Sequence, residues 1–499
     1  MKPCRLPLRH LRICLERQTH PPYYSQPRPL STPSLSPLRR FHNQPSPTRR
    51  EVRASDCLFG QPVHETHPHL LKPGELTPGI TAQEYHDRRS ALCALLPRNS
   101  AVILRSADVK YRSGAVFHAF RQESNFFYLT GFSEPQSLAI LRKTGSAPDD
   151  FAFYLVCRAK DPQAEQWSGP WSGFDAARNV WNADRTGVID FSENVLAEAL
   201  KGIEKIFTDA ELTQYGVETP FGAMVKRAAS SKSSISALKP HINSLRAIKS
   251  PAEIANMRRA GQESGRAITA AMRRSWTYEK DLAAFLEYQY QTSGLDGQAY
   301  IPVVAGGPRG TLIHYVQNNA QLKPDEMVLV DAGGEYGTYI TDITRTWPVS
   351  GKFSPAQRDL YTAVLKAQRS TVSLCRASAN LTLDKLQDIT ERSLHQELKH
   401  LGFNVDGKEM GILFPHHVGH YIGLDVHDVP GYPRNVPLKE GHCITIEPGV
   451  YVPDDSRYPK HFRGLAVRIE DSIVVGADNP LILTTEAVKE IEDIEALRS

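Results

Sequence analysis

The chain has 499 residues, 40% of them apolar and 23% charged, which allows two or three domains and is unlike a disordered or fibrous composition. No run approaches the roughly 18 consecutive apolar residues of a membrane span, and the seven cysteines (4, 14, 57, 93, 157, 375, 443) form no CxxC pair, arguing against a zinc ribbon or disulfide framework and for a reducing compartment. The formal charge of +4 is uneven: residues 1–50 hold ten Lys/Arg against one acid, Glu16, so a local +9 leaves −5 for the other 449 residues, with no basic surface for nucleic acid.

In chain order, Arg5, Arg9 and Arg12 recur at helical spacing beside a stripe of Leu8, Leu11 and Leu15, and prolines at 21, 22, 27, 29, 33 and 37 follow. A cationic, amphipathic, acid-poor start of this kind has the physics of a mitochondrial presequence over residues 1–50; a plain tail or a mispredicted start site are the alternatives. Residues 60–235 read as a mixed α/β domain, with a helix over 82–96 and strands over 101–104, 137–141 and 151–156. The polar stretch 230–236 reads as a linker. Residues 241–499 then carry two long helical patterns, 251–276 and 354–377. Between and after them lie strand pairs, 327–332 with 339–347 and 443–446 with 465–475. Blocks of helices and strands, without strict alternation, predict an α+β domain with an antiparallel sheet.

Four segments carry acids and histidines. In the first, an apolar strand ends at Asp331, a glycine-rich turn follows, and a second strand carries Asp342. With the turn centred on Tyr336 and Gly337, the two carboxylates oppose each other about 5 Å apart on one face; they are a cation site or simply a turn Asp and a surface Asp. The second, 416–428, groups His416, His420 and His427 among glycines, without the HExxH spacing. In the third, a strand delivers Glu447 before a Pro-Gly turn. In the fourth, Arg468 and Glu470 share a face by the period-two rule, as a buried ion pair or as a metal ligand with its supporting cation. Asp331, Asp342, Glu447 and Glu470 supply four negative charges and His420 a neutral nitrogen; two divalent cations would balance them. Oxygen-rich ligation favours Mn²⁺ over a structural zinc, and paired metals support hydrolysis.

The runs DAGGEYGTYITDITRTW (331–347), HHVGHYIGLDVHD (416–428), TIEPGVY (445–451) and VRIED (467–471) resemble the aminopeptidase P branch of the pita-bread metallopeptidases. The run FRQESNFFYLTGF (120–132) extends the likeness into the N-terminal domain, and THPHLLKPGELTPG (66–79) is similar to the mitochondrial members of that branch. The resemblance implies a pita-bread catalytic domain behind a mixed α/β N-terminal domain. It implies two divalent metals held by Asp331, Asp342, His420, Glu447 and Glu470, with Arg468 and His416 supporting them. It also implies His314 and His427 as substrate and transition-state contacts and Glu447 as proton shuttle. The activity implied is removal of one N-terminal residue from peptides or proteins, of the Xaa-Pro type in vitro, in the mitochondrial matrix. A prolidase-like dipeptidase and an inactive binding scaffold are the competing readings, and homo-oligomer formation stays open. One position departs from the pattern: Trp171 stands where relatives commonly carry arginine.

Overall fold

The computed structural model describes residues 60–498; the expected presequence over residues 1–50 lies outside the described residues. The first helix, α1 (Ala82–Ala94), is capped by the Thr81 hydroxyl, which accepts from the Glu84 amide, and buries Tyr85 and Leu92. Behind it come β1 (Ser100–Arg105), α2 (Ser124–Thr130), β2 (Leu138–Lys143), β3 (Phe151–Cys157), β4 (Arg185–Val188), β5 (Lys205–Phe207) and β6 (Ser234–Ser236). The six strands form one sheet in the order β6-β5-β1-β2-β3-β4, in which β2 alone runs against its neighbours. The stretch expected to be a linker is corrected here: its last three residues are edge strand β6, paired parallel to β5. Serine-rich composition suits an exposed edge as well as a linker, so composition alone does not separate the two.

Helix α3 (Lys239–Arg246) leads into α4 (Pro251–Met272). Ser250 and Glu253 close a reciprocal capping box around Pro251. The helix stops four residues before the expected Trp276, whose indole N–H turns back to the Ala271 carbonyl at 2.8 Å and satisfies one of the terminal acceptors. After α5 (Glu279–Thr292) come β7 (Val303–Gly306), β8 (Met327–Asp331), β9 (Gly334–Tyr336), β10 (Tyr339–Ile340) and β11 (Thr344–Pro348), then helices α6 (Pro355–Ser373) and α7 (Leu383–His400). Helix α6 also ends early, because Arg376 and Ala377 pair with Gly476 instead of continuing it. The last strands are β12 (Cys443–Ile446), β13 (Gly449–Tyr451), β14 (Ala466–Arg468) and β15 (Asp471–Val474).

The two long strands expected over 339–347 and 465–475 are each broken in the middle. At the first break the Ser472 hydroxyl accepts from the Asp342 amide at 3.1 Å and donates to the Asp342 carbonyl at 2.9 Å, standing in for a strand partner. At the second, Glu470 N–H reaches the Thr344 carbonyl at 3.0 Å. Asp342 and Glu470 lie in these gaps, and Glu447 lies between β12 and β13.

The N-terminal and C-terminal parts share one apolar cluster, in which Tyr85, Phe126 and Phe127 meet Met257, Tyr339 and Leu424. Cys93, Cys157, Cys375 and Cys443 are buried and unpaired, and burial pushes each thiol up to about 12, which leaves them inert. No helix among the described residues is long and apolar enough to cross a membrane.

Glycine matters most where two chain segments touch. A Cβ on Gly419 would sit 1.8 Å from the Thr445 carbonyl oxygen, whereas one on Gly411 meets nothing within 4 Å. Gly419→Ala should therefore destabilise the protein by roughly 1–3 kcal/mol or more through overpacking, and Gly411→Ala should be neutral or stabilising by a few tenths. Urea unfolding of the two variants checks this; equal midpoints would contradict it.

Candidate metal centre

The hairpin from Asp331 to Asp342 is built around a two-residue turn. Gly337 and Thr338 both have positive φ, 57° and 72°, and Tyr336 pairs with Tyr339 across them, as a primed hairpin turn requires. The turn centre therefore falls one residue beyond the expected Tyr336–Gly337. The register partner of Asp331 is Thr344, not Asp342. The slip in pairing is two residues, an even number, so Asp342 stays on the Asp331 face. The expected face is correct and the expected pairing is corrected.

The Tyr300 hydroxyl joins the two acids, 2.7 Å from Asp331 Oδ1 and hydrogen-bonded to Asp342 Oδ1. One hydroxyl proton serves one carboxylate, so the second contact calls for a proton on an acid. Burial, reinforced by the charge of Asp342, raises Asp331 to about 7. Asp342 is held below the usual carboxylate range: burial opposes its charge, but His420 Nε2 at 3.6 Å and the Tyr300 hydroxyl outweigh it.

His420 is delivered by the segment that Gly419 lets pass against β12: the Thr445 amide donates to the His420 carbonyl at 2.9 Å, and the His420 amide to Thr445 Oγ1 at 3.1 Å. Its Nδ1 faces the Tyr421 carbonyl at 3.0 Å, and its Nε2 lies 3.4 Å from Glu447 Oε1. Burial lowers its proton affinity, yet Asp342 and Glu447 raise it to about 9. Glu447 is raised by burial, although His420 pulls it back. Glu470, 1% exposed, is raised well above the carboxylate range by burial and then by Asp342, Glu447 and Asp331. Thr344 donates to its Oε2 at 2.7 Å, while Oε1 has no hydrogen-bond partner.

That orphaned oxygen tests whether cations fit. One donor atom each from Asp342, His420 and Glu470 lie within 4.8 Å of one another. A buried carboxylate oxygen without a donor is costly, and a divalent cation among these acids satisfies it and offsets their repulsion. The neighbouring acid Asp471 is already engaged by Arg345, Lys489, Gln368 and Thr484 and held well below the carboxylate range, so of the two acids in the VRIED run only Glu470 is available.

Arg468 reaches Asp331 Oδ2 at 2.6 Å, Thr344 Oγ1 at 2.9 Å and the Tyr451 hydroxyl at 2.8 Å. His416 faces the same Tyr451 hydroxyl at 2.7 Å and Glu447 Oε2 at 3.9 Å, and burial lowers it to about 4. The exposed His427 stands edge-on to His420, with ring centroids 4.5 Å apart. His314 is exposed, and its charge bears on both His416 and His427. All the expected site residues thus meet in one region. Tyr300, Thr344 and Tyr451 were not expected; Thr344 was findable as the residue two after Asp342 on the same face, whereas nothing near Tyr300 marks it in the sequence. Trp171 stands elsewhere, in the N-terminal part, where the Arg158 guanidinium lies 4.1 Å from its ring centroid and its indole N–H donates to Ser168 at 3.0 Å.

Residues 85–207 match the aminopeptidase P N-terminal domain, and residues 255–477 match metallopeptidase family M24. The chain belongs to that family, in its aminopeptidase P branch, and is a metalloaminopeptidase that depends on a divalent metal. It is 44% identical over 448 residues to intermediate cleaving peptidase 55 of Saccharomyces cerevisiae, covering 87% of this chain and 88% of that one. A crystal structure of the yeast protein lacking 58 N-terminal residues aligns with a TM-score of 0.80 at 42% identity, over 85% of this chain and 99% of that one. Xaa-Pro aminopeptidase 3 of Homo sapiens is 38% identical over 506 residues, covering 96% and 97% of the two chains. The Arabidopsis thaliana relative named intermediate cleaving peptidase 55, mitochondrial, is 34% identical over 441 residues, covering 88% and 87%.

The protons on the metal-free site set its pH dependence. Asp331 rises from 3.8 to about 7 and His420 from 6.5 to about 9. Stability that depends on their bound protons is present below the ordinary values and is lost as pH climbs through 7 and then 9. Metal replaces those protons, so the rise in Tm on adding Mn²⁺ to chelator-treated protein should be larger at pH 8 than at pH 6. An equal or smaller rise at pH 8 would contradict this.

Proposed function

We propose that this metalloaminopeptidase removes a single N-terminal residue from peptides and proteins. In vitro it acts on Xaa-Pro peptides, and in the mitochondrial matrix it trims imported proteins after presequence cleavage. The observation that carries the reading is the convergence of donor atoms from Asp342, His420 and Glu470 within 4.8 Å, with Glu470 Oε1 unpartnered, Glu447 3.4 Å from His420 and Asp331 joined to Asp342 through Tyr300. These five side chains would hold two divalent cations, Mn²⁺ by their oxygen-rich chemistry. Such a pair activates water and polarises a carbonyl. The yeast and human relatives, named as a cleaving peptidase and an Xaa-Pro aminopeptidase, support the activity. The plant relative's name and the arginine-rich, acid-poor residues 1–50 support the compartment. In this reading residues 60–235 form the N-terminal domain and residues 241–499 the catalytic domain.

The chain's own residues divide the reaction. Glu447, its proton affinity raised by burial, accepts a proton from the attacking water and returns it to the leaving nitrogen. Arg468 at 2.6 Å on Oδ2 and Tyr300 at 2.7 Å on Oδ1 fix the orientation of the Asp331 carboxylate, which receives the free N-terminal amine. An amine held there limits cleavage to the first peptide bond. His427, edge-on to His420 with ring centroids 4.5 Å apart, donates a ring N–H to the carbonyl oxygen as charge builds on it. His314 holds the substrate just beyond the scissile bond, and His416 braces Glu447 and Tyr451.

His427→Ala should keep its bound metal yet lose about 10²–10³-fold in turnover, the scale of one oxyanion donor. Metal content by mass spectrometry, and release of the first residue from an Xaa-Pro tripeptide, measure the two effects separately. Unchanged turnover would remove His427 from the mechanism. Cleavage confined to dipeptides, or release of internal or C-terminal fragments by the native enzyme, would overturn the aminopeptidase reading.

A further inference from the structure

The peptide loop that carries His427 has little secondary structure of its own. After the bridge between Tyr421 and Ile444, residues 422–428 form no strand or helix. An exposed imidazole on such a loop is a poor oxyanion donor unless something fixes the backbone on both sides of it, since small misplacements of a reacting contact are expensive.

The backbone is fixed by ion pairs, and part of the fixation comes from the N-terminal half of the molecule. On one side of His427, the Asp425 carboxylate accepts from Ser124 Oγ at 2.6 Å and from Arg246 Nη2 at 2.8 Å. On the other side, Asp428, 1% exposed at its side chain, is gripped by Lys249 at 2.8 Å and by Arg246. Arg246 is itself anchored on Asn125 Oδ1 at 2.6 Å. Arg121 closes the set: it donates to the Leu424 carbonyl, to Ser124 Oγ at 3.3 Å and to Glu335 Oε2 at 2.9 Å. Glu335 stands in β9, inside the hairpin that joins Asp331 to Asp342. Three cations, Arg121, Arg246 and Lys249, thus face three acids, Glu335, Asp425 and Asp428. These contacts hold the loop at Leu424, Asp425 and Asp428.

We infer that Arg121 and Ser124, from the run 120–132 before and at the start of α2, are positioning residues for catalysis. They clamp Leu424 and Asp425 so that His427 meets the developing oxyanion. The inference rests on the role given to His427 under the proposed function. None of the clamp's hydrogen bonds reaches Asp331, Asp342, His420, Glu447 or Glu470; the clamp acts through His427. It also gives the N-terminal domain a catalytic duty that its distance in sequence from the metal ligands conceals.

The test uses the full-length, Mn²⁺-loaded enzyme and a double-mutant cycle. Arg121→Ala and Ser124→Ala should each lower kcat on an Xaa-Pro tripeptide by roughly tenfold or more, with KM and metal content unchanged, and Arg121→Lys should recover part of the loss. In a His427→Ala background the same substitutions should cost nothing further, because the contact they position is gone. In the same loaded enzyme, hydrogen exchange at the Asp425 and Asp428 amides should speed up in both clamp variants. Asn256→Ala removes a different contact between the two halves, 2.7 Å to the Pro78 carbonyl, and should change neither kcat nor that exchange. Ser124→Ala removes one hydroxyl only and serves if Arg121→Ala fails to fold. Additive losses with His427→Ala, or loosened loop amides with unchanged kcat, would overturn the clamp. Unchanged kcat in His427→Ala alone would instead sink the role of His427 and the clamp with it.

Discussion

Mutual repulsion among Asp331, Asp342, Glu447 and Glu470 is the constraint around which the catalytic half of the molecule is organised. Four carboxylates sheltered from water cannot all be charged at neutral pH without compensation. Only part of the compensation comes from the chain: Arg468 serves Asp331, and His420 serves Asp342 and Glu447. Glu470 receives one hydroxyl and keeps one oxygen unmatched. The remainder is left for cations, and in their absence protons fill the gap, as the raised values of Asp331, Glu470 and His420 record.

The fold serves this arrangement by breaking its own ladders. A continuous antiparallel strand turns every second side chain to the same face at fixed spacing, which would string the acids along a line. Interruption at Asp342, at Glu447 and at Glu470, with Ser472 and Thr445 hydroxyls replacing strand partners, lets segments from four places in the sequence converge. Gly419 makes one of these convergences possible by letting its backbone touch the Thr445 carbonyl. Around this core the charges are sorted by neighbour: Asp471, adjacent to Glu470, is fully consumed by Arg345 and Lys489, so adjacent acids do unlike jobs.

Much of this was legible in the sequence because the proposed ligands sit in short motifs whose order and spacing survive any error in pairing. The Asp331–Asp342 face was recoverable by period-two reasoning even though the turn centre was displaced by one residue, since the slip in pairing was even. Less legible were features decided by tertiary context. Strand breaks at Asp342 and Glu470 depend on Ser472 and Thr344 arriving from other segments. Edge strand β6 reads as a serine-rich linker until β5 is beside it. Tyr300 lies 31 residues before Asp331 with no motif around it, and only the folded chain brings its hydroxyl to both acids. The clamp of Arg121, Arg246 and Lys249 is invisible for the same reason: each cation is ordinary in its own stretch, and its partner lies up to 303 residues away.

Asp331, Asp342, His420, Glu447 and Glu470 are proposed to hold two cations, and metal stoichiometry tests this most directly. Purified enzyme, stripped and reloaded with Mn²⁺, should bind two ions per chain by mass spectrometry. Glu470→Gln, which keeps the size of the side chain and removes its charge, should lose at least one of the two. Two ions retained in Glu470→Gln, or none bound by the native chain, would contradict the account.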